Sequence, residues 1–244
     1  MRVELLGTSG FHPTEKRHTS CVLLPEQGIV FDAGTGMFRL TSRLRSKSVA
    51  IFLSHSHLDH IIGLTYLLPP LCDGTIERAT IYGSARSIGA VRDHLFAEEV
   101  FPVPLPFEFV EVTAPVDVPG GGRLMHRVQE HPGGSFGYRI DWPGKSFAYV
   151  TDTTADGTGL DFIRGVDLLI HECNFPDDMR DLAVRTGHSH TTPVCELARD
   201  AGVKRLVLTH FDPYAALDDP VDVRKARSIF PATEVAEDKM VVEF

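Results

Sequence analysis

The chain has no C-x-x-C pair, no apolar run of membrane-spanning length, no P-loop and no surplus of positive charge. Each absence removes a class of function. The four cysteines, Cys21, Cys72, Cys173 and Cys195, are scattered through 244 residues, which fits reduced thiols in a cytoplasmic protein, each a small buried hydrophobe. No stretch approaches the ~20 apolar residues of a spanning helix, and Met1 runs straight into the strand-like Val3-Glu4-Leu5-Leu6 without a charged and apolar leader. A soluble, unexported protein with no membrane partner is expected. The formal net charge of −9 leaves no general attraction to nucleic acid. The turn Gly7-Thr8-Ser9-Gly10 lacks P-loop spacing. Neither a composition shift nor a linker run divides the chain, so residues 1–244 are expected to form a single α/β domain.

What is present is a dense group of ligand-type residues. His55, His57, Asp59 and His60 fall within six residues, after the apolar run Val49-Ala50-Ile51-Phe52-Leu53 and before Ile61-Ile62-Gly63-Leu64. That order reads as strand, turn and helix. In extended chain, side chains two apart point the same way, so His55 and His57 can share one ion. Entry into the helix redirects Asp59 and His60 toward a second position. Imidazole suits zinc, and a carboxylate among the ligands is compatible with zinc, manganese or iron.

Further along, short apolar runs recur. Arg2 to Leu6, Cys21 to Leu24, Ile29 to Phe31, Ala79 to Gly83, Phe107 to Val112, Leu124 to Val128, Ser146 to Val150, Val166 to Ile170 and Arg205 to Leu208 read as strands. Ile61 to Leu68 reads as a helix that Pro69-Pro70 must end. Ser84 is a good N-cap for a helix through Ile88, Val91 and Leu95, with His94 on its solvated side. Asp32, His55, Asp152, His171 and His210 each follow the C-terminal end of a strand, the edge where α/β proteins collect their chemistry. Asp32 has two readings, orienting a ligand histidine or bracing its own turn.

These residues resemble the metallo-β-lactamase-fold hydrolases, and within them the branch of ribonuclease Z and its phosphodiesterase relatives. The likeness is carried by L-G-T-S-G with Pro13 and Arg17, by F-D-A-G-T-G from Phe31 and by L-S-H-S-H-L-D-H from Leu53. It continues in H-P-G-G-S-F-G-Y-R-I from His131, T-D-T from Thr151, H-E-C-N-F from His171, G-H-S-H from Gly187 and L-T-H-F-D-P-Y from Leu208. The resemblance implies an αββα sandwich, two mixed sheets packed face to face with helices outside. It also implies two divalent metal ions, zinc before manganese or iron. His55, His57, His131 and Asp152 would hold one, and Asp59, His60, His210 and a bridging Asp152 the other. His126 competes for the place of His131, but only His131 has the family's interval to the following Gly-Tyr. By the same likeness Glu172 would hold the His188 imidazole, and His188 would give a proton or hydrogen bond to the phosphoryl group. The alternative makes Glu172 a partner of backbone amides and His188 a loop residue before the helix near Pro193. His171 and His190 are expected to be structural, while His12 and His18 could line a pocket mouth.

The reaction so implied is hydrolysis of a phosphodiester by a metal-bridging hydroxide, since bound ions lower the pKa of water from 15.7 to roughly 7. Asp59 would orient that nucleophile or take its proton. Enzymes of this branch that process transfer RNA carry a protruding arm, and this chain has no spare segment of that kind, with eighteen residues between Asp152 and His171. The acidic balance offers few phosphate contacts. Arg39, Arg43, Arg45 and Lys47 make at most a modest basic patch, more often a solvated helix face. A small or cyclic phosphodiester is therefore preferred as substrate over precursor tRNA. The alternatives are a tRNA 3′-processing endoribonuclease, a lactone or thioester hydrolase, and a catalytically silent metal-binding sensor. Resembling enzymes often form dimers, so a homodimer is the candidate assembly.

Overall fold

A computed structural model describes residues 1–215 and 218–244. The chain divides into two compact units, Met1–Ala114 with Glu237–Glu243, and Pro115–Ala236 with Phe244.

The first unit holds a seven-stranded mixed sheet. Its strands are β1 (Arg2–Gly7), β2 (Cys21–Leu24), β3 (Ile29–Phe31), β4 (Ser48–Phe52), β5 (Arg78–Gly83) and β6 (Glu108–Glu111), closed at the β1 edge by the late strand Val241–Glu243. The late strand, β1, β2 and β3 are antiparallel neighbours, whereas β3, β4, β5 and β6 are parallel. Alternation assigns the faces. Leu23, Val30, Ile51 and Ile81 join one buried cluster with Met37, Leu40 and Leu64, each side chain contributing about 1.5–3 kcal/mol on burial. On the opposite face Phe31 pairs with Phe52 and Phe52 with Tyr82, their ring centroids 5.9 and 4.4 Å apart. Such cross-strand aromatic pairs pin the register.

The Pro69-Pro70 pair does not end a helix. The structure has α1 (Leu58–Ile61), a 3-10 segment (Ile62–Leu67) and then α2 (Leu68–Cys72), with the prolines in its first turn. Proline lacks only an amide that is unsatisfied there in any case. Ser84 does cap α3 (Ala85–Ala90), its hydroxyl accepting from the Ser87 amide at 3.0 Å. His94 is exposed, as expected.

The segment before the late strand is tied to the N-terminal turn. Asp238 accepts from the Thr8 hydroxyl at 2.8 Å, the His18 amide at 2.8 Å and the Arg39 guanidinium at 2.7 Å.

The second unit holds another seven-stranded mixed sheet. It comprises β7 (Val116–Val118), β8 (Gly122–Gln129), β9 (Ser135–Trp142), β10 (Lys145–Val150), β11 (Leu168–Glu172), β12 (Leu206–Thr209) and β13 (Thr233–Val235); the late strand of the first unit is then β14. Strands β7 to β10 are antiparallel, and β10 to β13 parallel. Among the described residues four α-helices accompany this sheet, α4 (Leu160–Ile163), α5 (Arg180–Thr186), α6 (Thr191–Asp200) and α7 (Val223–Ile229), with a 3-10 turn at Asp177–Met179. The expected pair of mixed sheets with helices is therefore present, and it also contains β7, β9, β13 and β14, which the sequence reading did not list as strands. No described helix is long and apolar enough to cross a membrane.

Candidate metal centre

Parallel strands bring their C-terminal ends to one edge of a sheet, and each unit places its ligand-type residues there. In the first unit β3 ends at Phe31 opposite Phe52 of β4, so Asp32 and the turn of Ser54 and His55 leave the sheet side by side. Asp32 takes the left-handed conformation, φ 57°, at a cost of about 1 kcal/mol. Its carboxylate accepts from the Ser54 amide at 2.7 Å, from the Ser54 hydroxyl at 2.8 and 2.9 Å, and from His60 Nδ1 at 2.8 Å. Asp32 thus orients a histidine while bracing a turn, though the turn is that of Ser54 rather than its own. Gly34 permits the close approach, because a Cβ there would lie 2.2 Å from the Asp59 carbonyl oxygen.

The motif itself folds as its spacing suggests. His57 is extended and immediately precedes α1, which carries Asp59 and His60. The His55 ring lies 4.3 Å from both the His57 and His60 rings, centroid to centroid. Asp59 Oδ2 is 3.2 Å from His60 Nε2 and accepts from the Phe11 amide at 2.9 Å.

In the second unit Asp152 leaves β10, Glu172 ends β11 and His210 follows β12. Asp152 and His210 also take left-handed φ values, 48° and 60°. The Asp152 carboxylate divides its oxygens, Oδ2 lying 3.5 Å from His131 Nε2 and Oδ1 3.3 Å from His210 Nε2. Potential ligand atoms of Asp152, His188 and His210 lie within 4.8 Å of one another. Burial holds the His131 imidazole below its ordinary pKa against the pull of Asp152, which favours the neutral, ligating form.

Glu172 meets both the His188 imidazole and backbone amides. Its carboxylate accepts from His188 Nδ1 at 2.9 Å, the Thr153 amide at 2.7 Å and the Ser189 amide at 3.0 Å. Burial pushes this carboxyl up, but His188 and its hydrogen bond more than offset that, leaving it below the ordinary glutamate value.

The donor chemistry fits divalent ions. Three histidines engage Nδ1 within the protein, His60 on Asp32, His131 on the Gly187 carbonyl at 3.0 Å and His55 on the Ser54 hydroxyl at 3.0 Å, so each can present Nε2 as the ligating atom. At His210 the Asn174 amide lies 3.1 Å from Nδ1 and donates to the residue's own carbonyl at 2.9 Å.

The family model described as β-lactamase superfamily domain matches residues 27–211. This chain belongs to the β-lactamase superfamily. Within the superfamily it is 30% identical to a ribonuclease BN of Escherichia coli O17:K52:H18, over 98% of both chains. Among solved structures, the metallo-β-lactamase fold protein YhfI of Bacillus subtilis matches with a TM-score of 0.80 at 23% identity, covering 100% of this chain and 99% of that one. The short form of human tRNase Z matches with a TM-score of 0.76 at 26% identity, covering 100% and 99%. The fold is the metallo-β-lactamase fold, and the chain is a metal-dependent hydrolase of the superfamily, in its ribonuclease Z and phosphodiesterase-like branch.

Other histidines find structural places. His126 packs at a tilt against Phe136, centroids 4.6 Å apart. His190 holds Asp177 at 2.5 Å, and His12 donates to the Pro13 carbonyl at 2.9 Å. His18 contacts the Thr35 hydroxyl at 3.2 Å and packs at a tilt against Phe38, centroids 4.7 Å apart. His171 lies within β11 rather than after it. The basic patch is largely neutralised, Arg39 pairing with Asp238, Arg43 with Glu4 and Lys47 with Glu77. Sequence reasoning missed Ser54, Ser135 and Asn174, which hold ligand-type residues through short polar side chains. The T-D-T signature carried one usable hint, since the Thr151 hydroxyl donates to Asp152 Oδ1 at 2.7 Å.

Proposed function

We propose that this hydrolase is a dinuclear phosphodiesterase acting on a small or cyclic phosphodiester. In this reading His55, His57, His131 and Asp152 hold one divalent ion, and Asp59, His60, His210 and the same Asp152 hold the other, with zinc the favoured metal. The observation that carries it is the divided Asp152 carboxylate, one oxygen toward His131 and the other toward His210, the disposition a bridging ligand needs. The ions, when bound, supply Lewis acidity and a nucleophile from water at neutral pH. Asp59 orients the attacking water or takes its proton. Glu172 fixes His188 through Nδ1, so Nε2 is the atom that meets the phosphoryl oxygen. Residues 1–244 act as one domain, a reading supported by a family match that runs through both compact units. The four free cysteines fit a cytoplasmic setting, and a homodimer is the candidate assembly.

The preference for a small substrate is supported by the neutralised basic patch and by length. The alignment to the E. coli ribonuclease spans 302 residues, more than the 244 of this chain, so that enzyme has segments this chain lacks. The same 30% identity favours a second reading, RNA 3′ processing. The test is the metal-counted protein assayed on a bis-aryl phosphodiester, 2′,3′- and 3′,5′-cyclic nucleotides, a lactone and a precursor tRNA. Turnover of the cyclic or aryl diesters is expected. Activity on the lactone alone, or greater efficiency on the tRNA, overturns the reading, and inactivity with two metals bound points to a sensor.

A further inference from the structure

Beside the turn that follows β10, the second unit forms a small, partly open cavity of about 20 Å³. Its lining includes Val150, Phe162 and Ile163, the charged Arg127 and Asp156, and the polar side chains of Gln129 and His171. The last two are buried, 6% and 1% exposed. Among the described residues, Gln129 Oε1 and His171 Nε2 meet no hydrogen-bond partner.

The chemistry of both orphan atoms is fixed by their neighbours. Gln129 Nε2 donates to the Thr151 carbonyl at 3.3 Å, so the other end of the amide is the carbonyl, an acceptor. A Cβ built on Gly137 would lie 2.1 Å from that oxygen and 3.6 Å from Phe162 Cε1, which sets the oxygen close to a cavity wall. His171 Nδ1 donates to the Glu172 carbonyl at 2.7 Å, which leaves Nε2 with its lone pair. Burial lowers the His171 pKa, so the imidazole stays neutral. Two buried acceptors with no donor cost stability, and a cavity of this size holds one water-sized group. An anion would be repelled by both atoms, and an apolar occupant would satisfy neither.

We propose that this cavity binds one small hydrogen-bond donor, a water molecule or an ammonium ion, which donates to His171 Nε2 and Gln129 Oε1 together. The donor ties β8 to β11 across two intervening strands. It also fixes the Gln129 amide that holds Thr151, the residue before Asp152. The site uses none of the proposed metal ligands and does not depend on their assignment.

The test begins with a high-resolution crystal structure grown without ammonium salts. One density peak within about 3.2 Å of both atoms is expected; no peak, or a peak reaching only one of them, overturns the proposal. A second measurement uses urea unfolding of Gln129→Met, His171→Phe and the double variant. Each single change should raise the unfolding equilibrium constant roughly tenfold, because it strands the donor against one acceptor. The double change, which removes both acceptors and the donor with them, should cost clearly less than the product of the singles. Strict additivity overturns the proposal. Comparing unfolding midpoints in ammonium and potassium chloride at equal ionic strength separates the sources. A rise in ammonium that is absent from the double variant identifies the ion, and equal midpoints with the peak present identify water.

Discussion

Replacing Asp32 by Asn tests how the protein would prepare His60 for the ligand role proposed for it. Asn tolerates the left-handed backbone that Asp32 adopts at φ 57°, so the perturbation is confined to the side chain. The Asp32 carboxylate receives the Ser54 amide on Oδ1 and His60 Nδ1 on Oδ2. A carboxamide can accept at only one of those positions. If its oxygen stays with the Ser54 amide, the NH2 faces His60 Nδ1 at 2.8 Å and the ring must carry its proton on Nε2, losing the lone pair that would bind the ion. Metal affinity then falls about 10–100-fold, the usual loss when a partner behind a ligand histidine is removed. If the oxygen instead keeps His60, the NH2 meets the buried Ser54 amide donor, and the unsatisfied pair costs about 1–3 kcal/mol of stability. The variant must lose in one measurement or the other. Chelator competition measures affinity, and urea unfolding of the metal-free protein measures stability. Wild-type values in both would refute the role assigned to Asp32 and the tautomer assigned to His60.

Glu172→Gln removes one of three acceptor contacts and the charge facing His188; turnover on a phosphodiester should fall about 10²–10⁴-fold with metal content unchanged, as checked by steady-state kinetics beside metal analysis. Asp59→Ala should weaken binding of the second ion and lose turnover even when metal is supplied in excess, and full phosphodiesterase rate with both ions bound would remove Asp59 from the mechanism. Iodoacetamide at pH 8 should label only Cys72 in the folded protein, since Cys72 is exposed, whereas burial pushes Cys195 up to about 12 and buries Cys21 and Cys173 equally out of reach; mass spectrometry reads the pattern. At Asp177, burial pushes the carboxyl up, but hydrogen bonds from Lys225 and Thr192 hold it below its ordinary value. A depressed folded pKa gives stability that is present above the unfolded value of about 3.9 and is lost as pH falls through the folded one. The urea-midpoint gap between wild type and Asp177→Asn should therefore close as pH drops below about 4.

The ligand motif and the strands feeding it were legible because their signals are local. Alternation over Leu23, Val30, Ile51 and Ile81 marks one face, and His55 to His60 carry ligand-type side chains at a spacing that suits strand, turn and helix. Glu172 and His188 were legible only through the resemblance, since sixteen positions separate them in sequence and nothing local marks them as a 2.9 Å pair. What escaped was geometry decided by partners far along the chain. Serine is common everywhere, so Ser135, whose hydroxyl donates to the Asp152 carbonyl at 2.7 Å, has no signature. The left-handed turns at Asp32, Asp152 and His210 are equally silent, because neither Asp nor His announces φ. Pro69-Pro70 misled for a definable reason: a proline that stops one helix is also well suited to begin the next.

The tie between Asp238 and the turn of Thr8 and His18 bears on the order in which the protein is made. Residues 237–243 belong to the first unit, yet they are translated after the whole of residues 115–236. At ~5–20 residues per second that delay is roughly 6–24 s. For that interval the outer edge of β1 has no strand beside it, and an unpaired edge is a template for misassociation. The turn whose Phe11 amide reaches Asp59 also waits for Asp238. The nascent chain therefore carries the complete H-x-H-x-D-H motif long before the unit that holds it can close, and ribosome-bound chains stopped short of residue 237 should bind chaperones that the released protein does not.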